Sequence, residues 1–165
     1  MGIDLAGPEQ HTLEFGGDVD RYHDLFARAR AAGLGTTVHT GETSHTGADG
    51  VFAVLEKLQP DRIGHGIAAA RNKELMRRLS DRGTVLELCP SSNLRTHAVS
   101  GWDELREVYQ GLRDAGVRTT INTDGTYLLR TTLRHELELL LAHQVFDSSD
   151  VQRAIETARQ ATFVR

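Results

Sequence analysis

The sequence predicts an α/β protein in which parallel strands alternate with helices. Apolar residues switch repeatedly between short strand-like runs and helical spacing along the 165 residues. Five strand-like runs are each followed by a helical pattern, and a parallel neighbour needs such a long connection, so right-handed crossovers are expected. Hydrophobic residues make up 39% of the chain and charged residues 25%, which is typical of a globular protein with a core. We predict a single domain over residues 1–165.

Each predicted strand is short, and each predicted helix carries an apolar stripe. The strands, in chain order, are GIDLAG, GTTVHTGE, RIGHG, TVLELCP and RTTINTDG. The stripes that predict the intervening helices are Val19, Tyr22, Leu25, Phe26 and Ala29; Val51, Val54, Leu55 and Leu58, with a stop at Pro60; Leu75, Met76 and Leu79; Leu105, Val108, Tyr109 and Leu112; and Leu133, Leu137, Leu140 and Leu141.

A last helix and one long loop complete the prediction. The helix is predicted to begin at Ser149, because the Ser149 to Gln152 spacing fits a capping box. Its inner stripe would be Val151, Ile155 and Ala158. The segment 90–102, rich in Ser, Asn, Thr and His, is predicted to be the longest loop, and long loops after strands often line sites.

Two architectures accept this order of elements. An open doubly wound sheet would be complete with five strands. A (β/α)8 barrel needs roughly 250 residues, so this chain would form only part of one. In both architectures ligands bind beyond the carboxyl ends of the parallel strands, and side chains there are the candidates for function.

Charge and composition exclude several classes of protein. The net charge is −4 and both signs are mixed along the chain, which argues against a nucleic-acid partner. A single cysteine, Cys89, excludes an internal disulfide framework and fits a reducing compartment. No stretch has the length of a transmembrane helix, and the N-terminus lacks the pattern of a signal peptide. We therefore expect a cytoplasmic protein with no membrane partner.

Polar residues stand at the carboxyl end of every predicted strand. Singly, a His or Asp there is most simply a hydrogen-bonded structural residue. Together they offer the imidazole and carboxylate ligands that suit zinc, with a carboxylic acid left for proton transfer. Cys89 is expected to be a small core residue. The set is Gly7 and Glu9, His39 and Glu42, His65, Cys89, and Asp124.

Five short motifs occur among these strand ends: GIDLAGPE, VHTGE, DRIGHG, ELCPSSNL and INTDG. In order and approximate spacing they resemble the adenosine deaminase family, a branch of the amidohydrolase superfamily with a (β/α)8 barrel and one zinc ion. The resemblance covers almost the whole chain but only the later part of the barrel. It implies a partial TIM barrel of about five βα units plus a C-terminal helix.

The resemblance also implies a role for individual residues. His39 and Asp124 would be zinc ligands, and Glu42 would protonate the purine ring nitrogen beside the carbon under attack. His65 would orient the zinc-bound water and help to take its proton, and the backbone N–H of Gly7 would hold a ring nitrogen. The implied reaction is hydrolytic deamination of adenosine or a related aminopurine with release of ammonia.

Two departures from the family pattern qualify that expectation. The family takes two further zinc ligands from an HxH motif on its first strand, and no HxH occurs in this sequence. Both ends of the chain look cut, so we expect part of a longer deaminase or an incompletely read gene, inactive alone. Gly125 stands where the family usually has a second Asp that contacts the substrate. Tyr127 or Asn93 could replace that contact, or the substrate could be a modified purine or another aminated ring.

Two alternatives belong to other classes of protein. The chain could be a non-catalytic half barrel that persists by self-association or by pairing with the missing N-terminal half. It could instead be a complete doubly wound domain that binds a small ligand, which requires a strand order with a switch point and leaves HTGE and GHG unexplained.

Overall fold

The structure is a computed structural model that describes residues 1–7, 19–44 and 46–164, with the side chains of residues 19–21 left undescribed. Its strands form one five-stranded parallel sheet whose order follows the chain. The predicted α/β fold is confirmed. The sheet contains no switch point, so the doubly wound alternative does not fit the described strands. The strands are β1 Gly2–Leu5, β2 Gly35–Thr40, β3 Arg62–His65, β4 Val85–Leu88 and β5 Thr119–Ile121.

Helices connect the strands and cover one face of the sheet. No helix within the described ranges is long and apolar enough to cross a membrane. A 3₁₀ segment, Ile67–Arg71, follows β3. The α-helices of the described residues are α1 Val19–Ala31, α2 Gly47–Lys57, α3 Lys73–Arg82, α4 Pro90–Arg95, α5 Trp102–Asp114, α6 Thr126–Leu129, α7 Leu133–Ala142 and α8 Ser148–Ala161.

The hydrophobic core lies between the sheet and these helices. Alternate strand residues point into it, as the two-residue period of a strand requires: Val38, Ile63, Leu86 and Ile121 are all buried. The predicted stripes of α2, α3 and α5 are confirmed, because Val54, Leu55, Leu58, Leu75, Leu79, Leu105 and Leu112 are almost completely buried.

The opposite face of the sheet is polar. It carries Asp4, His39, Arg62 and Glu87 on four neighbouring strands. His39 Nδ1 lies 3.1 Å from Asp4 Oδ1, and Arg62 Nη1 lies 3.3 Å from Glu87 Oε1. Burial raises the pKa of Glu87, and the nearby Arg62 guanidinium only partly offsets that effect.

Several predicted stripes are rotated in the structure. Leu25, Leu133, Leu141 and Ile155 were expected to face the core but are 40–49% exposed. In α7 the buried pair is Glu136 and Leu140, because Glu136 accepts hydrogen bonds from Ser91 N at 3.0 Å and Thr131 Oγ1 at 2.5 Å. In α8 the buried pair is Asp150 and Ala154, since Asp150 forms an ion pair of 2.7 Å with Arg113.

Three boundaries also differ from the sequence prediction. The capping box of α8 joins Asp147 and Asp150 rather than Ser149 and Gln152. The expected loop 90–102 begins with helix α4, because Pro90 occupies the first turn of a helix, where its fixed φ is favourable. Strand β5 ends at Ile121, so Asp124 lies in the bend after the strand rather than on it.

Candidate active site

Four of the predicted site residues lie at the carboxyl end of the sheet. His39 is the second-last residue of β2, and His65 is the last residue of β3. Glu42 follows β2 after one glycine, and Asp124 follows β5. Register places His39 beside Gly64 and Thr40 beside His65. Parallel strands therefore bring together side chains that are far apart in sequence.

His65 reaches the site through an unusual backbone conformation. By strand alternation it should point to the same side as the buried Ile63. Its φ is +61°, in the left-handed region, and its ring packs edge-on against His39 with 5.7 Å between ring centroids. Left-handed backbone in a non-glycine residue costs of order 1–3 kcal/mol and is concentrated at functional sites.

Asp124 has the same type of backbone conformation, with φ of +54°. Its carboxylate accepts a hydrogen bond of 2.7 Å from Ser92 Oγ. Asp is one of the few residue types that tolerate this region, because its short side chain bonds locally. Helix α4, which carries Ser92, thus links the end of β4 to the bend that follows β5.

Two neighbouring residues, Asp4 and Gly64, set the orientation of the His39 ring. Its Nδ1 lies 3.1 Å from Asp4 Oδ1, which leaves Nε2 for another partner. A Cβ on Gly64 would lie 2.6 Å from His39 Cδ2, so the ring rests directly over the glycine. A carboxylate on one ring nitrogen is the arrangement that orients metal-binding histidines and raises their basicity.

Glu42 is surrounded by donors from helix α4 and its C-terminal end. Thr96 Oγ1 lies 2.9 Å, Asn93 Nδ2 3.3 Å and Ser92 Oγ 3.5 Å from Glu42 Oε1. The other carboxylate oxygen lies 3.6 Å from His65 Nε2. One connected polar network therefore runs from Asp124 through Ser92, Glu42 and Asn93 to His65.

Four further residues belong to this network or orient its side chains, and the sequence motifs do not predict these roles: Ser92, Asn93, Thr96 and Asp4. The sequence offers Asn93 as a substrate contact, but its side chain is fully buried, and its Nδ2 lies 3.1 Å from His65 Nδ1. The motif CPSSN directly after β4 was the available signal, since Pro90 begins a helix that points Ser92 and Asn93 at the strand ends.

Other predicted residues are less closely tied to this network. Gly7 has a φ of +155°, a value that favours glycine over other residues. Glu9 lies outside the described residues. Gly125 has an ordinary φ of −73°, and Tyr127 is 98% exposed. Cys89 is buried as predicted, and burial raises the pKa of its thiol.

The donor set fits zinc only in part. His39 and Asp124 are ligand types that zinc accepts, and Asp4 presents His39 in a suitable orientation. Within residues 1–7, 19–44 and 46–164, no group of three or more His, Cys, Asp and Glu side chains is placed to hold a metal ion. A catalytic zinc normally has three protein ligands, so at least one more would have to come from outside the described residues.

Comparison with known proteins identifies the family. The sequence matches the family model described as adenosine deaminase over residues 1–165. The chain belongs to the adenosine deaminase family. It is 39% identical over 163 residues to an adenine deaminase from Rhizobium johnstonii, and the match covers 99% of this chain and 48% of that protein. The chain thus spans about half the length of the curated relatives that it matches.

Solved structures support the same fold. An adenine deaminase from Arthrobacter aurescens matches with a TM-score of 0.82 at 24% identity, over 99% of this chain and 47% of that one. An amidohydrolase from Burkholderia ambifaria with bound zinc matches with a TM-score of 0.74 at 28% identity, over 87% of this chain and 39% of that one. With the sheet order, these matches confirm the predicted partial (β/α)8 barrel.

Proposed function

We propose that this chain forms the part of a zinc-dependent aminopurine deaminase that holds Glu42, His65, His39 and Asp124. The observation that carries the proposal is their convergence at the carboxyl end of the sheet, where a barrel enzyme of this type has its active site. Family membership supports the reaction class. Relatives between 36% and 39% identical are named adenine deaminases, so we place adenine first among the substrates, with adenosine and other aminopurines after it.

In the proposed reaction, His39 and Asp124 would hold the zinc together with ligands from outside the described residues. Bound zinc would supply hydroxide at neutral pH by lowering the pKa of water. Glu42 donates a proton to the ring nitrogen beside the carbon under attack, which lets the ring accept electrons. The donors around Glu42 Oε1 fix that carboxyl group, and the backbone N–H of Gly7 holds a second ring nitrogen. In the net reaction, the oxygen of water bonds to the carbon under attack, the carbon–nitrogen bond breaks, and the amino group leaves as ammonia while the oxygen remains as the carbonyl group.

Reconstitution tests this proposal. We would co-express the chain with the part of the R. johnstonii adenine deaminase that the chain does not match, and we call this pair the reconstituted barrel. Purified pairs are assayed for bound zinc and for ammonia release from adenine, adenosine and methylated aminopurines. Activity with at least one aminopurine is expected. A zinc-loaded, folded pair with no such activity would support the non-catalytic half barrel instead.

Variants of the reconstituted barrel separate the assigned roles. Glu42→Gln and His65→Ala are expected to lose turnover, by about 100-fold or more for the proton donor, with zinc retained. Asp124→Ala is expected to lose zinc itself. Glu107→Gln and Asp103→Asn are the matched controls, since both side chains are exposed on α5. Equal zinc content in Asp124→Ala and the unaltered pair would contradict the ligand assignment.

Substrate choice is testable at Gly125. Its φ of −73° suits any residue, and among the described residues a Cβ there would meet only Leu128 Cβ, at 3.5 Å. Gly125→Asp should therefore fold normally and restore the carboxylate that the family usually has. We expect the ratio of kcat/KM for adenosine to that for adenine to change, because a new polar contact discriminates between ring substituents. An unchanged ratio would show that position 125 does not contact the substrate.

A further inference from the structure

We propose that Asn93 is a positioning residue that fixes His65 in the tautomer with its proton on Nε2. The inference rests on the proposed function and refines the role of His65 within it. Asn93 is fully buried, and its Nδ2 lies 3.1 Å from His65 Nδ1 and 3.3 Å from Glu42 Oε1. One amide group therefore contacts both His65 and Glu42.

The chemistry of the amide decides the direction of both hydrogen bonds. An amide nitrogen has two N–H donors and no acceptor, so His65 Nδ1 must accept. A neutral imidazole that accepts at one nitrogen carries its proton on the other. The proton of His65 then lies on Nε2, which faces Glu42 Oε2 at 3.6 Å.

The carboxylate of Glu42 fixes the orientation of the amide itself. If the amide were reversed, Asn93 Oδ1 would face Glu42 Oε1 and two acceptors would be in contact. The backbone of Asn93 is also anchored on both sides, since its N–H donates to Cys89 O at 2.9 Å and its carbonyl accepts from Ala98 N at 3.0 Å. Helix α4 thus presents the NH₂ group to the two side chains in a single arrangement.

An asparagine at position 93 lowers the stability of the folded chain if its role is merely structural. Its buried Oδ1 has no hydrogen-bond partner among the described residues. An unsatisfied buried polar atom typically costs about 1–3 kcal/mol, and an apolar side chain of similar size would avoid that cost. The amide at this position is explained by the two bonds that its nitrogen makes.

This tautomer gives His65 a defined task. With Nε2 protonated, the ring donates a hydrogen bond to an oxygen atom at the site and has no lone pair there to take a proton from water. His65 would therefore hold and polarise the attacking or developing oxygen, which differs from the base-like role that the family resemblance implies. Asn93 acts only through His65 and Glu42 and does not touch the reacting atoms.

Nuclear magnetic resonance of the chain with ¹⁵N-labelled histidine tests the proposal directly. Cross-peaks from ring carbon protons to both nitrogens distinguish the two neutral tautomers, and His65→Gln identifies the His65 signals. We expect a protonated Nε2 and an unprotonated Nδ1. A proton on Nδ1 in the unaltered chain would overturn the proposal, whatever the behaviour of any variant.

The variant Asn93→Leu removes the donor and keeps the volume. We expect its His65 signals to shift toward a mixture of tautomers. Asn72→Ala is the control, because Asn72 caps α3 through Leu75 N at 3.1 Å, and its loss lowers stability without contact to the site. An unchanged His65 tautomer in a folded Asn93→Leu protein would refute the assignment.

Activity of the reconstituted barrel gives a separate measurement. Asn93→Leu is expected to lower kcat by about 10- to 100-fold, as loss of an orienting partner usually does, with little change in KM. Asn72→Ala should leave both values unchanged. An inactive unaltered barrel would refute the deaminase proposal while the tautomer result still stands, so the two failures are distinguishable.

Discussion

His65 and Asp124 show how single residues set the direction of a site. Both follow or end strands, and both have left-handed backbone, with φ of +61° and +54°. That conformation turns their side chains away from the directions that an extended strand would give them. The residue types were predictable as candidates from their position after apolar runs. Their convergence depends on backbone angles that the sequence pattern does not specify.

Gly64 has no side chain, and the His39 ring occupies the space that a side chain would fill. A Cβ at this position would lie 2.6 Å from His39 Cδ2 and 2.8 Å from His39 Nε2. We predict that Gly64→Ala displaces the His39 ring and lowers the zinc affinity of the reconstituted barrel by about 10- to 100-fold, measured by competition with a chelator.

The control for this prediction is Gly111→Ala in α5, where a Cβ would meet no atom of the described chain within 4 Å beyond the adjacent helix backbone. That change should leave zinc affinity unchanged and stabilise the protein by about 0.5–1 kcal/mol, because alanine is a better helix former. Equal zinc affinities for the Gly64 and Gly111 variants would contradict the proposal that Gly64 leaves room for the His39 ring in its zinc-binding position.

The raised pKa of Glu87 makes the stability of the protein depend on pH. Burial raises its pKa above the ordinary 4.5, so between the ordinary and the raised value the folded protein binds more protons than the unfolded chain. Stability contributed by protonated Glu87 is therefore lost as pH rises through the folded pKa. We expect Glu87→Gln to reduce this fall in the free energy of unfolding, measured by urea denaturation from pH 4 upward. The exposed Glu107→Gln should leave the pH dependence unchanged, and an unchanged curve for Glu87→Gln would refute the expectation.

At the scale of elements, helix α4 contributes most to the site. Its six residues carry Ser92 and Asn93 from the end of β4 to Glu42, His65 and Asp124. The sequence predicts a loop here, because the segment is rich in Ser, Asn, Thr and His. Pro90 at the first turn and the hydrogen bond from Asn93 N to Cys89 O explain why a short helix forms.

The start of α8 provides a test of element boundaries. Asp147 accepts from Asp150 N at 2.8 Å, and Asp150 in turn accepts from Asp147 N at 3.0 Å. Hydrogen bonds from Ser149 Oγ and the Asp150 N–H hold the pKa of Asp147 below its usual range. We predict that Asp147→Ala destabilises the protein by about 0.5–2 kcal/mol in urea unfolding.

Ser149→Ala is the matched control for that cap. The sequence predicts Ser149 as the first residue of the capping box, but its hydroxyl caps no backbone N–H of α8; it donates to Asp147 Oδ1 at 2.7 Å and accepts from Arg153 Nη1 at 3.1 Å. Its removal should destabilise the protein less than the loss of Asp147. If Ser149→Ala destabilises the protein more than Asp147→Ala does, Ser149 rather than Asp147 is the N-terminal cap of α8.

At the scale of the whole molecule, the polar face and the two outer strands are the open parts of the sheet. Among the described strands, β1 pairs only with β2 and β5 only with β4. Unpaired edges promote association with other chains. We propose that a matching barrel half covers these edges and the face that carries Asp4, His39, Arg62 and Glu87, and that copies of the chain associate when that half is absent.

Light scattering during size-exclusion chromatography tests this proposal. The chain alone is expected to show a mass that rises with concentration, and the reconstituted barrel is expected to elute as a one-to-one pair. A well-folded monomer of the chain at all concentrations would show that its edges need no partner.

The sequence by itself determined the alternation of strands with the longer helices and the candidates His39, Glu42, His65 and Asp124, because apolar periodicity and strand-end motifs are local properties. Periodicity accepted two architectures, and the partial barrel followed from the resemblance of five motifs to the adenosine deaminase family. Only the tertiary structure decided which face of α7 and α8 is buried, since Glu136 and Asp150 are held inside by partners distant in sequence. It also decided that Asn93 and Ser92 connect the site and that Asp4 orients His39. Those contacts arise from parallel strand register and from left-handed backbone at two residues, and neither is encoded in a short stretch of sequence.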